Sequence, residues 1–211
     1  MKHLAKLMIF LGICLLLLPT LGGLYTQYQQ QQMYDAYLQN ASGLEQTMNT
    51  LNETLSTGLG ETTSLDKSQD PLATQTPNGI EVIGLITIPK LDVSLMLVEG
   101  VSDQALKFAA GHMPGTALPG EVGNCAIAGH RSYTFGEYFN RIDELEMGDE
   151  IHITVGKETY IYQVYESFLV EPTEMSVTEP QGDKKVVTLI TCHPVVNATH
   201  RLIVRGELVE K

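Results

Sequence analysis

Seven short runs rich in β-branched and aromatic residues fill the chain from Ile80 onward, and they constrain the fold more than any other feature. They read IEVIGLITIP, VSLMLVEG, NCAIAGH, EIHITV, TYIYQVYESFLV, KKVVTLITC and HRLIVRGELV. Each has the length of a strand, and turn-forming residues such as Gly, Pro, Asp and Asn punctuate the series. Pro89-Lys90-Leu91-Asp92 makes a corner between the first two, and Gly156-Lys157-Glu158 joins the fourth and fifth as a hairpin. Two segments predict short helices. SDQALKFAAG has Ser102 or Asp103 as its cap and Gly111 after it; FGEYFNRIDEL is ended by Met147-Gly148-Asp149. Seven or more strands at this spacing predict an all-β domain closed, or nearly closed, into a barrel, because closure removes exposed strand edges.

The 211 residues leave room for an extension before that domain. Leu7 to Leu24 carries no charge over 18 residues, about the minimum for a bilayer span, and Lys2 and Lys6 precede it. Residues 1–25 therefore predict an N-terminal membrane helix, uncleaved, with everything after Tyr25 outside the cell. Residues 26–79 form a polar stalk and linker. Tyr34, Ala41, Met48 and Leu55 recur every seven residues, with Tyr37, Leu44 and Leu51 between them. This seam predicts a helix that either packs on the globular domain or stands as a stalk. From Ser56 to Gly79 the composition turns to that of a flexible linker. Residues 80–211 are the globular domain. A net charge of −12 with no Lys/Arg cluster excludes a nucleic-acid partner.

Of three cysteines, Cys14 lies in the apolar run, leaving Cys125 and Cys192 outside. In NCAIAGH, Cys125 alternates to the face opposite His130, so a Cys125–Cys192 disulfide conflicts with a Cys192–His130 partnership. The last two strands form a hairpin that brings Cys192 and Arg201 together, and His130 also ends a strand. The three polar groups converge at one rim. A thiol with a pKa near ~8.5 is activated by an adjacent imidazolium. Its thiolate attacks a carbonyl, histidine protonates the leaving amine, and a cation holds the oxyanion. Arginine suits that last task through its permanent charge and planar fork.

The strings GHMPGTALPGEVGNCAIAGHRSYTFGEYFNRIDELEMGDEI, VVTLITCHP and HRLIVRGEL resemble the sortases, cysteine transpeptidases of the Gram-positive cell surface. The resemblance runs from about Ile83 to Leu208. It implies an eight-stranded sortase-type β-barrel, with Cys192 as nucleophile, His130 as general acid/base and Arg201 as transition-state arginine. It also implies Thr191 as a substrate-positioning residue. His193 and His112 are further candidates for lining the substrate groove. The implied reaction cleaves an LPxTG-type sorting signal between Thr and Gly and passes the protein to an amine. That amine belongs to a lipid-linked peptidoglycan precursor or a pilin lysine. The N-terminal anchor and the His-Pro after Cys192 are similar to class D or E enzymes, whereas the Cys-x8-Arg spacing is similar to class C. Asp70-Pro71 matches part of a class C lid, but Leu72 stands where those lids carry an aromatic. No cofactor is expected; a Ca²⁺ site occurs in some sortases, but no loop motif marks one here.

Other readings stay open. A cysteine peptidase of papain or NlpC type would use the same thiol, although there the cysteine precedes the histidine and opens a helix. A non-catalytic surface β-domain would leave Cys192 inert. Arg131 and Arg205 are alternative carriers of the oxyanion role, and the histidines lack any zinc-ligand spacing.

Overall fold

The computed structural model describes Lys6, Met8 and residues 24–25, 28–39, 74–75, 79–131 and 138–209. Its strands are β1 (Thr74–Gln75), β2 (Glu81–Ile88), β3 (Val93–Glu99), β4 (Ala110–His112), β5 (Gly123–Ala128), β6 (Glu150–Val155), β7 (Glu158–Val170), β8 (Lys185–His193) and β9 (His200–Leu208). They lie in the order β1-β2-β3-β4-β5-β8-β9-β7-β6, and β6 returns to pair with β2 through Leu85 to Thr87. Strands β2 to β9 thus close an eight-stranded barrel, with β1 a two-residue addition to β2. The two parallel pairs are β3–β4 and β5–β8.

Period-two alternation decides what lies inside. Ile127 of β5, Leu189 of β8 and Val204 of β9 point into a shared core with Ile86, Leu97 and Ile153. β2 changes face at a bulge between Val82 and Gly84. Val82 belongs to an outer apolar layer and Ile86 to the barrel interior. Only glycine fits at position 84, because a Cβ there would lie 2.1 Å from the Thr154 carbonyl oxygen.

The seven strands read from alternation are present, and β4 completes the expected eight-stranded barrel. β4 has three residues, too few for a periodicity signal, and sits where the first helix was expected to end. That helix is α2 (Asp103–Leu106), and Ser102 caps it by accepting from the Ala105 N–H. The second expected helix differs. From Tyr138 on, it is turn followed by one 3₁₀ turn, Ile142–Glu144. Tertiary bonds compete with helical ones here: the Phe139 N–H donates to the His130 carbonyl, and the Tyr138 hydroxyl donates to the Lys107 carbonyl.

Residues 28–39 form a helix, α1, that packs on the outside of the barrel. Met33 and Tyr37, one turn apart, bury against Val82, Val98 and Phe108. Of the expected seam residues, Tyr37 packs on the barrel and Tyr34 is exposed, with Met33 from outside that seam buried beside Tyr37. Ala41, Leu44, Met48, Leu51 and Leu55 lie outside the described residues. The Gly156 N–H in the β6–β7 turn donates to the Tyr37 hydroxyl. Ahead of α1, the Tyr25 ring meets Phe108 edge-on at 5.9 Å. Phe108 precedes β4 by two residues, and the β4–β5 register places Ala109 level with His130. α1 thus starts at the His130 end of the barrel and runs toward the opposite end. Among the described residues no helix is long and apolar enough to cross a membrane. Most of the Leu7–Leu24 run and the Asp70-Pro71 stretch lie outside the described residues.

Candidate active site

Three adjacent strands bring the candidate residues together. In the antiparallel β8–β9 pair, Cys192 is directly opposite Arg201. In the parallel β5–β8 pair, Ala128 is opposite Ile190, and the ladder continues with the Gly129 N–H donating to the Ile190 carbonyl at 3.0 Å. His130 and Cys192 each lie two residues beyond that rung, so they stand level. The thiol is therefore in the middle, with an imidazole one strand away on one side and a guanidinium one strand away on the other. Neighbouring strands are about 4.8 Å apart, within side-chain reach.

All three side chains face outward. Their inward neighbours are Ile127, Thr191 and Leu202, which are buried. His130 is exposed, while Cys192 and Arg201 are part-exposed. Among the described residues the Arg201 guanidinium makes one long hydrogen bond, 3.4 Å to the His200 carbonyl, and is otherwise available. Just below the thiol on the same outer face, Ala128 and Ile190 are partly exposed and supply an apolar floor.

The supports lie behind and beneath. Thr191, 2% exposed, points inward, and its hydroxyl donates to the Gly129 carbonyl at 2.7 Å. This ties the residue before Cys192 to the residue before His130. Farther down the outer face, the Thr188 hydroxyl donates to Asn124 Oδ1 at 2.7 Å. The Asn124 amide in turn donates to the carbonyls of Val177 and Glu179 in the β7–β8 connection. That connection covers the lower part of the face and leaves the upper part open.

The other arginines are engaged elsewhere. Arg205 lies four residues beyond Arg201, about 13 Å along the strand. It pairs with Glu166 at 2.8 Å, donates to the Val177 carbonyl, and sits over Phe168. Its distance from Cys192 removes it as an oxyanion donor. Arg131 is turned behind the trio, paired with Asp143 at 2.8 Å and donating to His193 Nδ1 at 2.8 Å. In the sequence, Arg131 is a candidate only for the oxyanion role. Its bond to His193 joins segments 62 residues apart, and no local pattern marks it.

Cys125 and Cys192 are both free thiols. Cys125 is 1% exposed in the barrel core, as its alternation predicted. Burial pushes its pKa far up, and the nearby charges of Glu99 and Glu121 add to the effect. His112 lies away from the thiol, at the opposite end of the barrel. Its Nδ1 is 2.7 Å from Glu99, and its Nε2 is 3.0 Å from the Ala117 carbonyl. A cavity of about 500 Å³ opens there beside Glu99, His112 and Tyr160. His193 is paired with His200 across β8–β9 and stands one residue past the thiol. Among the described residues no three His, Cys, Asp or Glu side chains converge to hold a metal ion.

A closed barrel carrying a partly exposed thiol between an imidazole and a guanidinium defines a thiol enzyme of the acyl-transfer class. Comparison with known proteins makes the assignment specific. The sortase domain profile matches residues 86–209, more than half of the chain, and the chain belongs to the sortase family of cysteine transpeptidases. Sortase D of Bacillus subtilis is 29% identical over 153 residues, covering 71% of this chain and 75% of that protein. SrtE1 of Streptomyces coelicolor is 34% identical over 142 residues, but the match covers only 40% of that longer protein and 60% of this chain. A sortase D5 transpeptidase of Clostridium perfringens superposes with a TM-score of 0.56 at 37% identity, covering 61% of this chain and 79% of that one. Sortase C of Clostridium perfringens, solved with a C-terminal cell wall sorting motif, superposes with a TM-score of 0.60 at 30% identity, covering 84% and 89%.

Proposed function

We propose that this protein is a membrane-anchored sortase that cleaves an LPxTG-type sorting signal between Thr and Gly and transfers the protein to an amine. The observation that carries this reading is the level placement of His130, Cys192 and Arg201 on three adjacent strands, all facing outward. The Cys192 sulfur attacks the Thr carbonyl carbon, and Arg201 donates to the oxyanion that forms. The C–N bond then breaks, and His130 gives its proton to the departing glycine amine, leaving a thioester. His130, now neutral, takes a proton from the incoming amine as it attacks, and the thiolate leaves. Thr191 points into the barrel, so instead of touching substrate it ties the strand ends that carry Cys192 and His130 together through Gly129. His193, one residue past the thiol, directs its side chain to the other face, where its Nδ1 accepts from Arg131. It therefore supports the site from behind and does not line the groove.

The acceptor is the amine of a lipid-linked peptidoglycan precursor or a pilin lysine, and the donor is a surface protein with a C-terminal sorting signal. The uncharged run from Leu7 to Leu24 supports a single-pass anchor with the barrel outside the cell. Because Tyr25 meets the barrel at Phe108, such an anchor holds the His130 end toward the bilayer, where both substrates travel.

Water competes at far higher concentration, so an amine wins only when it is bound in line with the thioester. The test uses the full chain in detergent micelles with an LPxTG-type peptide. Mass spectrometry should detect a Cys192 acyl adduct. A glycine-like or diamino-acid acceptor should divert product from acid to amide, with ping-pong kinetics. Hydrolysis alone, with every acceptor tried, would favour a cysteine peptidase instead.

A further inference from the structure

Arg131 immediately follows His130 and has only 4% of its side chain exposed, rare for a guanidinium without a specific task. Its donors reach acceptors on two separate parts of the chain. Nε donates to the Asn140 carbonyl at 3.1 Å, and Nη2 pairs with the Asp143 carboxylate at 2.8 Å. Nη1 donates to His193 Nδ1 at 2.8 Å and approaches the Cys192 carbonyl at 3.5 Å. By register, Arg131 and His193 are the next rung beyond His130 and Cys192, with side chains directed to the other face. The catalytic pair is thus backed by a second cross-strand pair. The Asp143 carboxylate neutralises the guanidinium, so its contribution is geometric rather than a net positive field at the thiol.

The two contacts to β8 have distinct consequences. The ion pair and the Asn140 bond fix the guanidinium plane, and that plane fixes the end of β8 relative to the residue after His130. The β5–β8 ladder stops at the Gly129 N–H, leaving His130 beyond the last backbone bond between these strands among the described residues. A further tie is required to hold its imidazole at one offset from the sulfur. Separately, a guanidinium only donates, so His193 Nδ1 must accept. The His193 proton then resides on Nε2, and the ring presents a single donor on its far side.

We infer, on the basis of the transpeptidase reading above, that Arg131 is a positioning residue. Its guanidinium holds the His130 end of β5 in line with Cys192 and sets the tautomer of His193. Lysine is a poor substitute, because one point charge cannot serve four acceptors in a fixed plane.

The test compares Arg131→Ala and Arg131→Lys with the parent, using the full chain in micelles. Misplacement of a reacting group by about 1 Å costs up to ~10²-fold. Both variants should therefore lose roughly 10- to 100-fold in kcat, with KM changed less than about threefold. Guanidinium ion at about 20 mM, far below denaturing levels, should restore part of the Arg131→Ala rate and none of the Arg131→Lys rate. Nitrogen NMR of the imidazoles should show His193 protonated on Nε2 in the parent and a tautomer mixture in Arg131→Ala. A folded Arg131→Ala protein with kcat within about twofold of the parent would overturn the inference, as would a loss of thermal stability alone. If Arg131→Ala does not fold, Asp143→Asn and His193→Ala each remove one tie. Parental kcat in both would equally overturn it. Cys192→Ala is the control that separates the two readings. Turnover surviving in it refutes the transpeptidase assignment, whereas the His193 tautomer still reports on Arg131 without reference to activity.

Discussion

Replacing Thr191 by valine removes one hydroxyl and almost no volume, at a position where the hydroxyl has a single identifiable task. Thr191 is 2% exposed and donates to the Gly129 carbonyl at 2.7 Å. The valine variant loses a net hydrogen bond and leaves a buried carbonyl short of a donor, which together cost about 1–3 kcal/mol. At roughly 4 °C per kcal/mol for a domain of this size, the melting temperature should fall by about 4–12 °C. Thr191→Ser keeps the donor and loses one methyl group, worth about 1 kcal/mol, and so should unfold at an intermediate temperature. The bond also links the residue before Cys192 to the residue before His130. Loosening it lets the imidazole drift, and kcat should fall about tenfold with KM nearly constant. Thermal unfolding by circular dichroism and steady-state transfer to an amine measure both effects. Equal stability of the valine and parent proteins would refute the assigned bond. A raised KM with unchanged kcat would mean that Thr191 touches substrate, and the positioning argument would fail.

Cys192→Ala should abolish turnover in a folded protein, whereas Cys125→Ala should stay within a few-fold of the parent; intact-mass analysis after mild alkylation should find one modification in the barrel, on Cys192. The Cys125 thiol is held neutral by burial, so above about pH 9 only the unfolded chain releases that proton. Stability therefore falls with rising pH there, by up to about 1.4 kcal/mol per unit, and urea titrations of Cys125→Ala should show a flatter alkaline decline. Arg201→Lys should be nearly as damaging as Arg201→Ala, on the order of 10²-fold in kcat, because the fork serving the oxyanion is lost in both. Retained activity in Arg201→Lys would return the oxyanion role to another donor.

Local chemistry made much of this protein legible in advance. Alternation with period two, interrupted by turn residues, identified seven of the eight barrel strands, and it also separated Cys125 from His130 by strand face. Ser102 or Asp103 marked the start of α2, and Ser102 is the cap, because a cap acts within three residues. The hairpin of β8 and β9 joined Cys192 to Arg201 for the same reason, since a short connection leaves few alternatives. Interactions between distant segments were a different matter. β4 is three residues long and exists because β3 and β5 both pair with it. FGEYFNRIDEL has the apolar spacing of a helix, yet bonds to His130 and Lys107 hold its described part in turns. Whether the helix around Tyr37 stands alone or packs was decided by the apolar face that β2, β3 and Phe108 present to Met33 and Tyr37. Arg131 and Arg205 look alike as strand-end arginines in the sequence; Glu166 holds one, and Asp143 with His193 holds the other. Short-range patterns record what a residue prefers, but ion pairs and parallel strand contacts depend on which distant groups closure of the barrel brings within reach.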